Sequence, residues 1–296
     1  MIRKVVVHTD DLGMTHGANA AFAELSALGT VTAGSVMVPC PWFAEVAAMA
    51  AADPSLDIGV HLTLTSEVPG CRWRPLTRPP ASAGLTDDLG FLHPDVPTLR
   101  ARAHPEAAEA EMRAQIDLAL AAGIDVTHVD DHMGAVLAPE FADAYVRVAA
   151  EYGLPLVMCP SLSTYGGPHN LAGVTEADFA PAAEAARLSG QTIFDRIVET
   201  EWSDCADHAA RCRDLFLGLP AGLTYLALHH TMPGGIEAMD RRFHRIRIAE
   251  YEVFRSGAFA AWLRDRPGLE LVGMRPFRDA LAARRADGRR APPAPA

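Results

Sequence analysis

Short runs of β-branched and aliphatic residues alternate along the chain with longer stretches whose apolar residues recur at helical spacing. The first run covers residues 5–7, and the first helical stretch covers residues 16–28 and ends at Gly29. Residues 31–38 repeat the strand pattern, and an alanine-rich helical stretch over residues 42–52 follows them. The pattern therefore predicts a strand–helix unit that repeats along the chain.

The third predicted strand, residues 56–64, alternates more strictly. Aliphatic residues occupy every second position from Ile58 to Leu64, and His61 stands between them. Because successive side chains of a strand point to opposite faces, His61 lies on the face opposite the aliphatic one. We expect the aliphatic face to pack outward against helices, so His61 should face inward.

The remainder of the chain continues the same alternation. Further strands are predicted at residues 126–129, 154–159, 223–228 and 269–272. Further helices are predicted at residues 106–122, 139–152, 204–217 and 239–257, the last continuing into 258–265, whereas 181–189 and 192–200 are predicted as helical or mixed. About seven or eight such repeats indicate one barrel-like α/β domain, which we place at residues 1–283.

Three segments break the pattern. Prolines and glycines interrupt residues 65–105, and a loop of this length is usually a lid or a substrate wall. Four aromatic and basic residues could line such a wall, although surface packing of a long excursion explains them equally well: Arg72, Trp73, Arg74 and Phe91. Residues 160–180 are a second irregular segment. The Arg-, Pro- and Ala-rich residues 284–296 are expected to be a disordered tail.

Composition narrows the class of protein. The chain is 49% hydrophobic and 21% charged, which is ordinary for a globular protein. A net charge of -11 argues against a nucleic-acid backbone as the main partner, because Lys and Arg cluster only at the extreme C-terminus. Five cysteines without a Cys-x-x-Cys pair indicate neither a disulfide framework nor a cysteine zinc site, and they fit a reducing compartment.

The N-terminus and the apolar runs bear on localisation. Residues 1–4 lead straight into the first predicted strand with no apolar signal region. No apolar run approaches the roughly 20 residues that a membrane-spanning helix needs. We therefore expect a cytoplasmic protein with neither a membrane nor a nucleic acid as partner.

Titratable residues cluster where three predicted strands end, which is where parallel α/β folds carry their sites. The clusters are Asp10-Asp11, residues 127–134 with His128, Asp130, Asp131 and His132, and the pair His229-His230. An Asp-Asp pair alone is more often a helix cap or a solvated turn. Two histidines flanking two aspartates at a strand tip, however, favour metal binding or catalysis over packing.

One carboxylate and two imidazoles from separate strand ends form a common ligand set for a divalent ion with open positions. Asp11, His61 and His132 supply such a set. Asp10 stays free to take a proton from metal-bound water, while a histidine on the far side returns a proton to the leaving group. These residues outline a hydrolase.

His229 is the histidine that we assign as the acid. It follows the strand 223–228 directly and should emerge at the same rim as the ligands, whereas His230 should point to the other side. A histidine that only caps the strand end is the alternative for either residue. His128, Asp130 and His230 are further candidates for the site.

The same motifs resemble those of the YdjC-like carbohydrate deacetylases, the ChbG/HpnK group. The resemblance rests on the order and spacing of Thr9-Asp10-Asp11-Leu12-Gly13, residues 59–64 (GVHLTL) and residues 127–132 (THVDDH). It implies a distorted (β/α) barrel of the TIM-barrel type with long inserted loops. It also implies removal of acetyl groups from N-acetylated sugars with one divalent metal, zinc or magnesium. By this resemblance Asp11, His61 and His132 match the ligands, Asp10 the base and His229 the late strand-end histidine.

Several positions depart from the family pattern. The usual Asn-Ala before the acid pair is His8-Thr9 here, and the usual Ser before the last metal histidine is Asp131. Met133-Gly134 replaces further histidines, and the late motif is doubled as His229-His230. The metal ligands are therefore expected to be retained in an altered substrate pocket, so chitooligosaccharide activity should not be assumed.

Two other classes of function stay open at this point. The same metal set could support hydrolysis of a non-sugar amide or ester, which substrate screening would distinguish. A non-catalytic binding protein on the same barrel would be favoured if Asp10 lay away from the metal. The expected partner is a small acetylated carbohydrate, and a homodimer is left open.

Overall fold

The computed structural model describes residues 2–166 and 170–287. The strands are β1 (Arg3–Leu12), β2 (Ala33–Val36), β3 (Ile58–Leu62), β4 (Val126–Asp131), β5 (Tyr165–Gly166), β6 (Arg196–Glu199), β7 (Gly222–Leu228) and β8 (Leu269–Leu271). The helices are α1 (His16–Leu28), α2 (Phe43–Ala52), α3 (Val96–Arg102), α4 (Pro105–Ala121), α5 (Pro139–Tyr152), α6 (Glu176–Leu188), α7 (His208–Gly218), α8 (Ile236–Met239), α9 (His244–Phe254), α10 (Gly257–Arg264) and α11 (Arg275–Ala286).

The strands form one sheet in the order β4-β3-β2-β1-β7-β6-β5, and β8 also pairs with β1. Every strand pair is parallel, as strand–helix–strand connections require. Backbone hydrogen bonds from Val157 to Val129 and from Phe194 to Met158 connect β4 to the start of β6 through an extended segment. This segment closes the sheet into a distorted barrel, which confirms the predicted α/β fold class.

Several predicted boundaries differ from the structure. Residues 154–159 make only one β-bridge, Val129 to Leu156, instead of the predicted strand. The predicted helix 239–257 is divided, because α9 ends at Phe254 and the Ser256 hydroxyl caps α10. Residues 196–199 are a strand where a helical or mixed segment was predicted.

The two segments that were predicted to be irregular also contain helices. Residues 65–105 include α3, whose start the Asp95 side chain caps. The predicted irregular segment 160–180 becomes helical at Glu176 because Thr175 and Asp178 form a capping box. The predicted disordered tail is wrong for residues 284–286, which belong to α11, and residues 288–296 lie outside the described residues.

The apolar side of the sheet packs against the helices. Val5 and Val7 of β1 are fully buried and join Phe22 and Leu25 of α1 in one core. Each buried aliphatic side chain of this kind contributes roughly 1.5–3 kcal/mol to folding. No helix among the described residues has both the length and the apolar character needed to cross a membrane. All five cysteines are free thiols.

One buried carboxylate of α4 holds part of the excursion over residues 65–105 against the barrel. Glu111 of α4 is fully buried and accepts hydrogen bonds from the backbone N–H groups of Leu76 and Thr77, both at 3.0 Å. It also accepts from the Thr77 hydroxyl at 2.8 Å and from Gln115 at 2.9 Å. Four donors therefore depend on this side chain.

We predict that Glu111→Ala lowers the free energy of unfolding by roughly 2–4 kcal/mol, because buried donors lose their acceptor. Glu109→Ala is the matched control on the same helix. Its ion pairs with Arg113 and Arg147 are partly exposed, so its loss should cost less than about 1 kcal/mol. Urea unfolding of both variants measures the difference, and equal losses would contradict the prediction.

Candidate metal centre and catalytic pocket

Three buried side chains meet at the carboxyl ends of the strands. Asp11 lies near the end of β1, His61 lies in β3, and His132 follows β4 directly. The Asp11 Oδ1 atom is 3.4 Å from His61 Nε2 and 3.2 Å from His132 Nδ1. The structure thus brings together the three residues that the sequence predicted as ligands.

The backbone of β1 is irregular where it carries Asp11. Its register with β2 shifts between Thr9 and Leu12, and Asp11 has a φ of +63° in the left-handed region. A regular strand would point Asp11 to the same side as Thr9, toward the helices. The irregularity returns Asp11 to the inner side beside Asp10, and such a strained conformation in a non-glycine residue is typical of functional sites.

The donor atoms suit a divalent cation. Among the described residues, Asp11 Oδ1 has no hydrogen-bond donor of good geometry, although the atom is buried. The three donor atoms lie within 4.8 Å of one another. A buried carboxylate oxygen that faces two imidazole nitrogens fits an ion with further positions open to water or substrate.

Each of the three side chains is held from behind by a further charged group. His61 Nδ1 lies 3.1 Å from Asp130 Oδ1, and His132 Nε2 lies 3.0 Å from both carboxylate oxygens of Glu67. Arg247 Nη1 donates to Asp11 Oδ2 at 2.7 Å. Carboxylates on the far nitrogens orient metal-binding imidazoles and raise their basicity.

These charged groups lower the pKa of Asp11 and raise the pKa values of His61 and His132. Burial alone would raise the pKa of Asp11, but Arg247, His132 and His61 outweigh burial and hold it well below its usual value. Burial alone would lower the pKa of both histidines. Asp130 and Asp11 nevertheless raise the pKa of His61, and Glu67 and Asp11 raise the pKa of His132 to about 9.

Asp10 faces a different set of groups from Asp11. Its Oδ1 atom lies 2.6 Å from His8 Nδ1, and its Oδ2 atom lies 3.8 Å from His229 Nε2. Asp10 also offers an oxygen within 4.8 Å of donor atoms of His61 and Asp130, so it borders the centre. Burial, the largest cause, raises the pKa of Asp10 well above its usual value.

The two late histidines point to different sides, as the strand alternation predicts. The His229 side chain turns to the side of the strand where Asp10 lies, its backbone N–H donates to Glu250 at 3.0 Å, and its ring lies 4.5 Å from that of Trp202. It stands beside Asp10, however, and not across the pocket from it as expected. His230 is fully buried on the helix side, where it contacts Thr9 and packs on Phe254.

The other two candidate residues, Asp130 and His128, lie behind the three candidate ligands. Asp130 orients His61 and accepts hydrogen bonds from Ser35 at 2.8 Å and from Tyr225 at 2.9 Å. His128 is fully buried in the barrel interior, where its Nε2 atom lies 3.0 Å from His8 Nε2.

The four residues that were predicted to line a substrate wall lie in two separate places. Trp73 is buried, and its ring lies 6.2 Å from that of His132, so it borders the centre. Phe91 instead packs under Arg72 and Arg74, at 4.9 and 4.5 Å. These contacts are surface packing, the alternative interpretation of that segment.

Sequence reasoning assigned no site role to Glu67, Arg247, Trp202 and His8. Glu67 lies in the irregular excursion, and Arg247 is one of several arginines in a charged helix, so no periodicity distinguished either one. Trp202 contacts His229 and Phe243, with ring distances of 4.5 and 5.0 Å. His8 was visible only as a departure from the family motif.

Comparison with known proteins gives matches over most of the chain. The YdjC-like protein family model matches residues 4–265. A carbohydrate deacetylase from Thermus thermophilus is 37% identical over 233 residues, which are 78% of each chain. A carbohydrate deacetylase from Brevibacillus brevis is 31% identical over 205 residues, 69% of this chain and 77% of that one.

A solved structure shares the fold. The crystal structure of a protein described as a cellobiose-phosphate cleavage protein, from Enterococcus faecalis, has a TM-score of 0.72 at 21% sequence identity. The match covers 93% of this chain and 98% of that one.

We predict that loading the centre with zinc releases protons at pH 7. Without the ion, His132 with a pKa of about 9 and His61 with a raised pKa are protonated at this pH, whereas ligation requires neutral imidazole. Affinity should therefore rise with pH up to about 9. Calorimetric titration in two buffers of different ionisation enthalpy measures the release.

His132→Ala should abolish most of this binding. His16→Ala is the control, because His16 is exposed and pairs with Glu45 far from the centre. Heats of binding that do not depend on the buffer would contradict the prediction.

Proposed function

The chain belongs to the YdjC-like family, and from this membership we propose that it is a metal-dependent hydrolase that removes acetyl groups from N-acetylated sugars. The observation that carries the proposal is the buried Asp11 Oδ1 atom facing two imidazole nitrogens, with a second carboxylate, Asp10, beside it. The His61, His132 and Asp11 donor set suits zinc, and magnesium is the alternative.

The ion would supply a water of lowered pKa and would polarise the acetyl carbonyl oxygen. The protein's own groups then handle the protons. Asp10 Oδ2 is the free oxygen of its carboxyl group, since Oδ1 is bound to His8, and we assign it to take the proton of the attacking water. Arg247 keeps Asp11 ionised and oriented, so that the two neighbouring acids serve separate purposes.

His229 is the group that we assign to protonate the leaving nitrogen. An amide nitrogen leaves poorly as an anion, so collapse of the tetrahedral intermediate needs a proton delivered to it. Burial lowers the pKa of His229 well below its usual value, so the ring is neutral until it gains a proton. We assign Asp10 as the source: the proton that Asp10 Oδ2 takes from the attacking water passes to His229 Nε2 and from there to the leaving nitrogen. The distance of 3.8 Å between His229 Nε2 and Asp10 Oδ2 would let both groups reach one small acetamido group.

Aromatic rings near His229 and His132 support a sugar as substrate. The Trp202 ring lies against that of His229 and also contacts Phe243, and Trp73 lies beside His132. Flat apolar faces beside hydrogen-bonding carboxyls, such as Glu199 at the end of β6, suit the apolar face and hydroxyl edge of a pyranose. Glu199 also accepts the indole N–H of Trp202 at 3.0 Å.

Asp10→Asn should lower the rate of deacetylation by about a hundredfold to ten-thousandfold while the metal content stays unchanged, because the amide cannot accept the proton. Metal analysis and acetate release from N-acetylglucosamine oligomers measure both quantities. Loss of the metal in this variant would instead make Asp10 a ligand. Screening non-sugar amides and esters in parallel tests the other hydrolase class.

His229→Ala and His230→Ala should have different effects on the hydrolysis of amides and esters. We expect His229→Ala to slow hydrolysis of an N-acetyl sugar far more than hydrolysis of an acetate ester with a good leaving group, which needs no acid. His230→Ala should lower thermal stability and slow both substrates about equally, since His230 packs away from the pocket. A selective loss in His230→Ala alone would overturn the assignment.

A further inference from the structure

One buried carboxylate joins the two loops that follow β6 and β7. Glu250 of α9 is buried, and its Oε2 atom accepts the backbone N–H of His229 at 3.0 Å. Its Oε1 atom accepts the hydroxyl hydrogen of Thr200, the residue directly after β6. The Thr200 N–H donates in turn to the carbonyl oxygen of Ala227 in β7 at 3.2 Å. A single side chain therefore holds the segments that leave both strands.

The His229 ring has few other restraints. Its Nδ1 atom is buried and has no hydrogen-bond partner among the described residues. Its Nε2 atom lies 3.8 Å from Asp10 Oδ2, which is longer than a hydrogen bond. A histidine that transfers protons usually has its second nitrogen oriented by a partner. Here the position of the ring must come from its backbone and from Trp202, whose ring is 4.5 Å away.

Trp202 belongs to the loop that Glu250 holds. It lies two residues after Thr200, and the Arg247 guanidinium lies 5.2 Å from the centre of its ring. Because Glu250 binds one residue of each loop, it fixes the spacing between the ring of Trp202 and that of His229.

Helix α9 relates this arrangement to the metal centre. Arg247 precedes Glu250 by three residues, so both side chains lie on one face of the helix. Arg247 Nη1 donates to Asp11 Oδ2 at 2.7 Å, and the Arg247 carbonyl oxygen accepts the N–H of Thr231 at 3.3 Å. The helix therefore contacts a candidate metal ligand and the loop after β7 at the same time.

We propose that Glu250 is a positioning residue for His229. By binding the His229 N–H, the Glu250 carboxylate holds the imidazole against Trp202 and beside Asp10. The proposal rests on the proposed role of His229 as the acid. Glu250 transfers no proton itself, so its whole effect on the reaction passes through the position of the His229 ring.

A role in stability alone is the alternative for this carboxylate. An apolar side chain of similar size would avoid the cost of burying a charge, so the carboxylate is not the simplest way to fill the space. The two roles also differ in their effect on substrates. A general loss of order slows every substrate, whereas a displaced acid slows an amide far more than an ester with a good leaving group.

Two substitutions at this position test the proposal. Glu250→Gln keeps an oxygen for the His229 N–H, and its amide can donate to the Thr200 hydroxyl, which also accepts hydrogen bonds. We expect this variant to deacetylate an N-acetyl sugar at close to the wild-type rate. Glu250→Met removes both acceptors at similar length, so kcat on that sugar should fall about tenfold to a hundredfold, as for a small misplacement of a reacting group. Its KM, its metal content and its hydrolysis of an acetate ester should change little.

The double variant with His229→Ala supplies the control. If Glu250 acts only through His229, Glu250→Met should cause no further selective loss on the amide in protein that already carries His229→Ala. Additive losses would overturn the proposal. It would also be overturned by equal slowing of amide and ester in Glu250→Met, or by a loss in Glu250→Gln as large as that in Glu250→Met.

Hydrogen exchange tests the contact without substrate. The His229 N–H should exchange slowly in the wild-type protein and in Glu250→Gln but rapidly in Glu250→Met, while the Leu226 N–H inside β7 reports any global opening. Rapid exchange at His229 in the wild-type protein would overturn the proposal even if Glu250→Met does not fold. If the wild-type protein hydrolyses no acetylated sugar, the proposed function fails, whereas the exchange experiment still decides whether Glu250 holds His229.

Discussion

A carboxylate with only 2% of its side chain exposed, as in Asp11, is stable only when positive charge surrounds it. Arg247 supplies that charge from one side and two imidazoles supply it from the other. This ion cluster fixes several elements of the fold at once. Helix α9 must dock so that Arg247 reaches β1, and β1 must leave its regular register so that Asp11 turns inward.

The same irregularity separates the two neighbouring acids. Asp11 is held ionised mainly by Arg247, whereas no arginine or lysine of the described residues pairs with Asp10, and burial raises the pKa of Asp10. Two carboxyl groups whose pKa values move apart can take different roles, one as a ligand and the other as a group that gains and loses a proton. A single backbone distortion between Thr9 and Leu12 thus positions both the candidate metal ligand and the proposed base.

The location of the titratable clusters was predictable because the apolar runs give way to polar residues toward the carboxyl ends of the strands. The strand ends themselves were predicted too early for the first and fourth strands, since β1 extends to Leu12 and β4 extends to Asp131. The alternation over residues 56–64 placed His61 correctly inside the barrel, and the boundaries of the first helix were confirmed. Glu67 and Arg247 could not be found in this way. Each reaches the site through tertiary packing of a loop or a helix, and the local sequence of neither one distinguishes it from an ordinary surface charge.

The inside of this barrel is polar where many α/β barrels are filled with aliphatic layers. His8, Ser35, His128, Asp130 and Tyr225 occupy it, and such groups are tolerated only when nearly all of them are hydrogen-bonded. The interior therefore contributes less hydrophobic stabilisation than an aliphatic filling would. Hydrophobic stabilisation comes instead from the outer side of the sheet, where Val5 and Val7 of β1 are fully buried in one core with Phe22 and Leu25 of α1. Stability is built between the sheet and the helices, which leaves the interior available for ionisable groups.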